Sequence, residues 1–370
     1  MNSLDRYLLR QCITPLFMIL LVTTAVVWMT QSLQRIEIIV EYGQGLWTFL
    51  FLSLLIIPSL LAIIIPFALF GAVVYALHRL HSDSEIAVMF AAGVSRWRLS
   101  APLLAISVVA ALATFYVNVD LMPRCYRVLK LSVAEIRADF ANSLIRSGEF
   151  VNVSDGLTVY VDDTRGENQY VGLLINDYRN ADKREIYMAE RAILQDTDAG
   201  TMLLLKDGNL QTEASYTGKI DIIRFDDWAL NLSAFGNGPG ELQLELTERY
   251  LGELLNPDMS KHYDRTYAGK LIAEGHGRIA SPLYALAYVL VALYTLIGGA
   301  YTRRGYFLRV AVAGAAVFGL RIAGFVAQGA AGESGMIALI YAPPLIAIVT
   351  LTILLYAPGT IRFMRPKEAA

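Results

Sequence analysis

Six long runs that are almost free of charged residues constrain this chain more than any other feature of its sequence. They lie at about Cys12–Leu33, Leu46–Leu77, Leu99–Val119, Ile279–Ala300, Tyr306–Ala327 and Met336–Ala357. Each run is close to or above the roughly 20 apolar residues that an α-helix needs to cross a bilayer. Since 55% of the residues are hydrophobic and only 17% are charged, we predict an α-helical polytopic membrane protein with six transmembrane helices, arranged three plus three around an insertion.

Basic residues near the ends of these runs predict the orientation in the membrane. The first run is too long for a signal peptide and lacks a small-x-small cleavage site, and six spans would place both termini on one side. The short loops of the opposite side carry only Arg35, whereas the side of the termini carries Arg6, Arg10, Arg79, Arg96, Arg98, Arg303, Arg304, Arg309, Arg362, Arg365 and Lys367. Because Lys and Arg accumulate on the cytoplasmic side, we expect cytoplasmic termini and an outward insertion.

The insertion between the third and fourth runs has the pattern of a separate β domain. It opens with an amphipathic helical stretch at Pro123–Ile145, followed by seven short runs with β-type alternation: GEFVNV, LTVYVDD, QYVGLLIND, EIYMAERAIL, TMLLLKDG, NLQTEAS and KIDIIRFDDWALNL. Glycines punctuate these runs as turns would. We therefore predict an inserted all-β, jelly-roll-like domain at 121–277, with transmembrane helices at 1–120 and 278–370.

A short apolar segment between the second and third runs predicts a helix that cannot span a membrane. Ser82 and Glu85 have the spacing of a capping box, and Gly93 is a residue that ends helices. We call Ser82–Gly93 the docking helix and expect roughly three turns. One face would lie on the chain's own spans, while Ala87, Ala91 and Ala92 leave a face that a separate protein could cover. The candidate contact residues are Asp83, Ser84, Glu85, Ile86, Met89, Phe90 and Gly93.

Polar residues within or beside the apolar runs are the other candidates. Arg321 lies inside the fifth run with Gln328 two turns further out, and an ionisable residue within a span indicates either a functional site or a structural pair. Glu274 and Arg278 have i, i+4 spacing and are expected to pair at the membrane surface. Arg35 belongs either to an ordinary solvated connection or to a site for an anionic lipid head group.

Several kinds of chemistry lack their sequence signals. The chain has no G-x-x-x-x-G-K-[ST] loop, so it is not expected to hydrolyse ATP, and no G-x-S-x-G elbow. Its four histidines have no metal-ligand spacing, and its formal net charge of −2 does not favour nucleic-acid binding. Cys12 and Cys125 are expected at opposite ends of the membrane, where they cannot form a bridge. We therefore predict a protein that is not an enzyme and has no cofactor or metal.

Particular stretches of the sequence and the arrangement of its apolar runs resemble those of a known family. The segment PFALFGAVVYALHRLHSDSEIAVMFAAGVS, the three-plus-three arrangement around a β domain, and AEGHGRI before the fourth run resemble the lipopolysaccharide-export permeases of Gram-negative bacteria, the paired subunits LptF and LptG. The stretches RYLLRQ, SEIAVM and RSGEF are more similar to the F-type subunit. The resemblance covers nearly the whole chain, and its most specific part is the S-E-I-x-x-M pattern.

The resemblance implies one half of an ABC transporter permease in the inner membrane. Its partners would be a second, LptG-like permease, two copies of an LptB-like cytoplasmic ATPase that binds the ATP, an LptC-like bitopic periplasmic jelly-roll protein, and lipopolysaccharide. The family places Ser82–Gly93 in a groove of the ATPase with Glu85 as its acidic residue, and matches its jelly roll to about Gly148–Leu232. Arg35 fits the basic position that contacts the head group, whereas Ser32 stands where the family has a second base.

Other interpretations of the same features stay open at this point. The chain could be the permease of another lipid or lipoprotein ABC exporter, although those usually carry the large outward domain after the first span. It could instead be a membrane scaffold or sensor whose outer domain binds a ligand and whose spans only anchor it. Glu85 could also have the local role of capping its own helix by bonding back to Ser82.

Overall fold

The computed structural model describes residues 3–33, 45–144, 148–154, 156–165, 169–178, 183–197, 200–214, 220–231, 244–297 and 306–357. The chain divides into two compact units. A helical unit contains the described residues of Met1–Glu37, Gly45–Arg127 and Leu244–Ala370, and a β unit contains those of Val128–Gln243. The helices that lead back from the β region to the fourth run therefore pack within the helical unit.

The helical unit begins with α1 (Ser3–Leu33), α2 (Leu46–Leu54), α3 (Ile57–Ser82), α4 (Glu85–Ala91) and α5 (Arg96–Tyr116). A π-helical turn at Val117–Leu121 joins α5 to α6 (Met122–Leu144). After the β unit come a 3₁₀ turn (Leu246–Glu248), α7 (Leu251–Leu255), α8 (His262–Ala280), α9 (Leu283–Ile297), α10 (Tyr306–Ser334) and α11 (Ala338–Tyr356). The amphipathic helix predicted at Pro123–Ile145 corresponds to α6.

Five described helices are long and apolar enough to cross a membrane: Ser3–Leu33, Ile57–Ser82, Arg96–Ala134, Phe307–Ser334 and Ala338–Tyr356. A sixth span exists only if α8 and α9, which meet at a 48° bend, are one broken span. The bend lies at residues 281–282, where Pro282 has no N–H to continue the helical hydrogen bonds. The predicted multi-pass architecture is confirmed, and the fourth run is a short helix behind a bend.

The second apolar run is divided into two helices near a proline. The first part, α2, ends at Leu54, and α3 begins at Ile57 with Pro58 in its first turn. A proline is tolerated there because the first helical N–H groups have no partner within the helix. Pro66 lies inside α3, which continues to Ser82.

Alanines lie among larger aliphatic side chains at the centre of the helical unit, where α3 packs against α1, α5 and α9. Ala72 and Ala76 of α3 and Ala285 and Ala292 of α9 are all at most 1% exposed and belong to one buried core. In a membrane, small side chains allow helix backbones to approach closely and gain dispersion contacts. These alanines thus serve close packing of the helices.

The β unit is a six-stranded antiparallel sheet in sequential strand order. Its strands are β1 (Phe150–Ser154), β2 (Leu157–Arg165), β3 (Gln169–Asp177), β4 (Lys183–Thr197), β5 (Gly200–Ala214) and β6 (Ile220–Asn231). This order makes the described strands a meander, whereas a jelly roll has Greek-key connections. Consecutive strands are separated by at most five residues, and such short connections place each strand beside the next one along the chain. The all-β prediction is confirmed, and its jelly-roll connectivity is corrected.

The sheet buries one apolar face whose register follows the alternation seen in the sequence. Val161 pairs with Leu173, and Ile175 pairs with Tyr187, and all four side chains are buried. Burial raises the pKa of Tyr187 to about 12, with the neighbouring Glu185 carboxylate adding to the effect.

The seventh predicted strand is wrong because Gly208 is not in a turn. The runs TMLLLKDG and NLQTEAS are parts of the single strand β5. A Cβ atom at Gly208 would collide with the carbonyl oxygen of Met188 and lie 2.7 Å from the ring of Phe225. The glycine therefore permits a close approach of both neighbouring strands in the middle of the sheet.

Candidate functional site

The docking helix begins three residues later than predicted. The helix α4 spans Glu85–Ala91, while Ser82 is the last residue of α3 and the Asp83 N–H still donates to the Arg79 carbonyl at 3.0 Å. The helical conformation is interrupted between the two helices at Ser84, whose φ of 59° is left-handed. The predicted capping box is wrong because a helical Ser82 is not an N-cap.

The predicted end of the docking helix is confirmed. Gly93 has a φ of 85°, a left-handed conformation that glycine adopts without strain. Its N–H donates to the carbonyl of Phe90, and the N–H of Val94 donates to the carbonyl of Met89, both at 3.0 Å. These bonds satisfy carbonyls that the helix end would leave without partners.

The two faces of α4 differ in what covers them. Ile86 is 6% exposed and joins the buried core of the helical unit, with Met89 and Phe90 packed against that core. The opposite face carries the exposed residues Ala87, Val88, Ala91 and Ala92. Val88 is 66% exposed, so the face is apolar, shallow and uncovered by the described part of this chain.

Tyr7 of α1 holds the carboxylate of Glu85, the first residue of α4. The Tyr7 hydroxyl lies 2.9 Å from both Glu85 carboxylate oxygens. The Gln11 amide donates to the same hydroxyl at 3.1 Å from one turn further along α1. No sequence pattern pointed to Tyr7, because it lies 78 residues from Glu85 and the two helices meet only in the folded chain.

The span that follows the docking helix is tied to the last span at the same end. Ser95 caps α5 by accepting a hydrogen bond from the Arg98 N–H at 3.3 Å. The Ser100 and Tyr356 hydroxyls are hydrogen-bonded to each other, and the rings of Trp97 and Tyr356 meet edge-on at 5.2 Å. The helix α5 therefore begins directly after the docking helix and contacts α11 at the same end.

Arg278 of α8 is a buried arginine that donates to three backbone carbonyls of the helical unit. Arg278 is 3% exposed and donates to the carbonyls of Arg249 and Leu246, both at 2.8 Å, and of Asn118 at 3.4 Å. Its Nε donates to Glu274 at 3.2 Å, so the predicted i, i+4 pair forms, but with its arginine enclosed by protein. π-helical turns and helix ends leave carbonyls without regular partners, and Arg278 satisfies several of them.

Two polar contacts join α8 to the last two spans. Gln328 of α10, a candidate for substrate contact, donates to Glu274 at 2.7 Å. His276 Nδ1 lies 2.9 Å from the hydroxyl of Tyr341 on α11. The Gln328 amide is therefore already engaged inside the helical unit.

Two further arginines make polar contacts in the segments of the helical unit that precede and follow the β unit in the sequence. Arg249 makes a bidentate pair with Asp264 at 2.7 and 2.5 Å, and the two side chains are 10% and 3% exposed. The hydrogen bonds to that carboxylate raise the pKa of Arg249. Arg127 donates to the Glu248 carbonyl at 2.7 Å and pairs with Glu253. We call Arg127, Arg249 and Arg278 the arginine cluster.

Arg321 lies in the middle of α10 with aromatic rings around its charge. Its guanidinium carbon is 4.4 Å from the centre of the Phe325 ring and 5.1 Å from that of Tyr284. Its Nε is buried and has no hydrogen-bond partner among the described residues. Cation–π contacts stabilise a desolvated guanidinium but leave its N–H groups available to an acceptor.

The remaining predicted positions carry less structural information. Ser32 is 5% exposed, and its hydroxyl is buried with no hydrogen-bond partner in the described part of the chain. Arg35 lies outside the described residues. Within the described ranges, no three His, Cys, Asp or Glu side chains are grouped as a metal site would need, and Cys12 and Cys125 are free thiols.

Comparison with known proteins gives a family match along almost the whole chain. Residues 6–363 match the family described as lipopolysaccharide export system permease LptF/LptG. An uncharacterized protein of Rickettsia prowazekii, RP871, is 27% identical over 354 residues, which cover 95% of this chain and 97% of that protein. The match includes the docking helix, the β unit and the arginine cluster.

Proposed function

The chain belongs to the LptF/LptG family of lipopolysaccharide export permeases, and we propose that it extracts lipopolysaccharide from the inner membrane and passes it to a periplasmic bridge toward the outer membrane. At the family level it is a multi-pass permease component. The main observation behind the proposal is the uncovered face of α4. This helix begins with the acidic residue Glu85, and its other face packs on the core of the helical unit.

A separate ATPase supplies the energy in this proposal. The sequence has no phosphate-binding loop of its own, and the exposed Ala87, Val88 and Ala91 offer a shallow apolar face of the kind that fits a groove. Two copies of an LptB-like ATPase would bind the ATP. Their closure would displace the docking helices, and α5 would carry the motion toward the outer ends of the spans.

The orientation and the other partners follow from the same proposal. Arginines at the ends of α1, α3, α5 and α10 support a cytoplasmic location of those ends, and the β unit would then be periplasmic. A second, LptG-like permease would complete the lipid cavity, and an LptC-like bitopic protein would receive the lipid at the β unit. The stretches RYLLRQ and SEIAVM favour the F-type role for this chain.

Co-purification tests this proposal directly. The tagged chain, extracted from its native membrane in mild detergent, is expected to bring a second six-span permease, an ABC ATPase and lipopolysaccharide, each identified by mass spectrometry. A tagged unrelated multi-pass protein from the same membrane is the control for nonspecific lipid. A chain that comes out without any ATPase would overturn the proposal and favour a scaffold or sensor.

Arg321 is proposed to contact an anionic group of the lipid. Replacing it with Gln keeps hydrogen-bonding ability but removes the charge, so photocrosslinking of lipopolysaccharide to the chain is expected to fall about tenfold, as for loss of one charge-assisted hydrogen bond. Recovery of the ATPase in the pull-down should not change. The matched control is Arg309→Gln at the cytoplasmic end of the same helix. Equal losses of crosslinking and of assembly would show that Arg321 is structural.

A further inference from the structure

Tyr7 of α1 contacts Glu85 of the docking helix, and the next residue of each helix is buried. Leu8 and Ile86 are 1% and 6% exposed and belong to the same buried core. Beside them, the Tyr7 hydroxyl donates to the Glu85 carboxylate. The start of α4 is therefore joined to the first span by a polar contact beside a shared apolar core.

The Tyr7 hydroxyl has both of its hydrogen-bonding roles filled. It accepts from the Gln11 amide at 3.1 Å while it donates to Glu85 at 2.9 Å. Such a chain polarises its central hydroxyl and strengthens both bonds. Tyr7 is 37% exposed, so water would satisfy these groups if the bonds served stability alone. What the protein gains is a defined direction for the carboxylate.

The arrangement leaves the carboxylate able to bind a second partner. An ionised carboxyl group has about four lone-pair sites, and a single hydroxyl proton occupies only part of them. A cationic side chain of a docked ATPase could thus reach Glu85 while Tyr7 remains bound. In that state one carboxylate would link the ATPase to the first transmembrane helix.

We propose that Tyr7 is a positioning residue that links the docking helix to the first span, so that movement of a docked ATPase is passed to α1 as well as to α5. The inference rests on the proposed function, because it takes Glu85 as the point of contact with the ATPase. It assigns a mechanical role to a side chain that does not itself touch the ATPase or the lipid.

The test measures transport and ATP hydrolysis separately in the reconstituted complex. Tyr7→Phe removes one oxygen atom and keeps the ring, so ATPase recovery and the rate of ATP hydrolysis should stay near the unmodified values. Lipopolysaccharide released per ATP is expected to fall by about fivefold or more, the lower end of coupling between linked sites. Gln11→Leu should act in the same direction with a smaller effect. Tyr75→Phe on α3, a half-exposed tyrosine, is the matched control and should change neither quantity.

A double-mutant cycle distinguishes positioning from general damage. If Tyr7 acts through Glu85, adding Tyr7→Phe to Glu85→Ala, which unlike Glu85→Gln leaves no oxygen to accept the Tyr7 proton, should lower lipid release per ATP no further than Glu85→Ala alone. Multiplied effects in the double variant, or unchanged release in Tyr7→Phe, would overturn the inference. Normal ATPase recovery and transport in Glu85→Ala itself would instead refute the proposed docking role.

Discussion

Replacing Arg278 by Leu is expected to destabilise the helical unit by about 3–5 kcal/mol, the usual cost of removing one partner from a buried charged pair. The substitution would leave Glu274 without its cation and the carbonyls of Leu246, Arg249 and Asn118 without their donor. An unsatisfied buried polar group cannot recover its hydrogen bonds to water. The thermal unfolding midpoint of the purified chain in detergent should fall by about 6 °C or more.

Arg124→Leu is the matched control for this prediction. Arg124 lies on α6, pairs with Asp120 at 2.8 Å with i, i+4 spacing, and is 63% exposed. An exposed pair of this kind contributes at most about 1 kcal/mol, so the midpoint should move by only a small fraction of the shift in Arg278→Leu. Similar shifts in the two variants would contradict the idea that burial and the carbonyl contacts make Arg278 special.

Arg278 also shows where prediction from the sequence ends. The i, i+4 spacing predicted its pair with Glu274, because helix geometry alone brings such residues together. The contacts with Leu246 and Asn118 join residues 32 and 160 positions away, and no local pattern reports them. The π-helical turn at Val117–Leu121 was likewise not predicted, whereas the bend before α9 was missed although Pro282 marks it in the sequence.

Local patterns predicted elements well where one physical rule dominated. Apolar run length predicted the membrane-crossing helices, and β-type alternation predicted an all-β unit. The start of α4 was wrong because nothing in His81–Asp83 stops α3, so its hydrogen bonds continue past the capping signal. The extra strand was wrong because a glycine in a sequence is compatible either with a turn or with a close approach of neighbouring strands. At Gly208 only the folded position of Phe225 shows that the second applies.

The candidate site was predicted in part. Ile86, Met89 and Phe90 were predicted as contacts with a separate ATPase, but the structure places them on the face that α4 buries against its own spans. The uncovered face therefore consists of Ala87, Val88 and their neighbours. The polar link from Tyr7 was missed because the pairing of two helix termini that are distant in sequence is set by the fold.

Glu85→Ala is expected to abolish most ATPase binding while leaving the chain folded. Truncating one partner of a charged, hydrogen-bonded pair at an interface costs about 2–5 kcal/mol, so ATPase recovery at equal expression should fall by a factor of about 30 or more. The chain itself loses little, because the freed Tyr7 hydroxyl is exposed and can bond to water. Quantitative pull-down with a midpoint measurement on the isolated chain checks both expectations.

Two further variants decide which property of α4 binds the ATPase. Glu333→Ala removes an exposed carboxylate at the C-terminal end of α10. This control variant has the same change in net charge as Glu85→Ala and should leave ATPase recovery unchanged. Ala87→Leu keeps Glu85 but raises the height of the exposed face, so it should weaken binding by steric exclusion if that face enters a groove. Full binding in Ala87→Leu together with loss in Glu85→Ala would mean that the ATPase contacts the helix start alone. Full binding in both variants would remove α4 as the docking surface, and the ends of α5 and α11 beside Trp97 and Tyr356 would become the next surface to test.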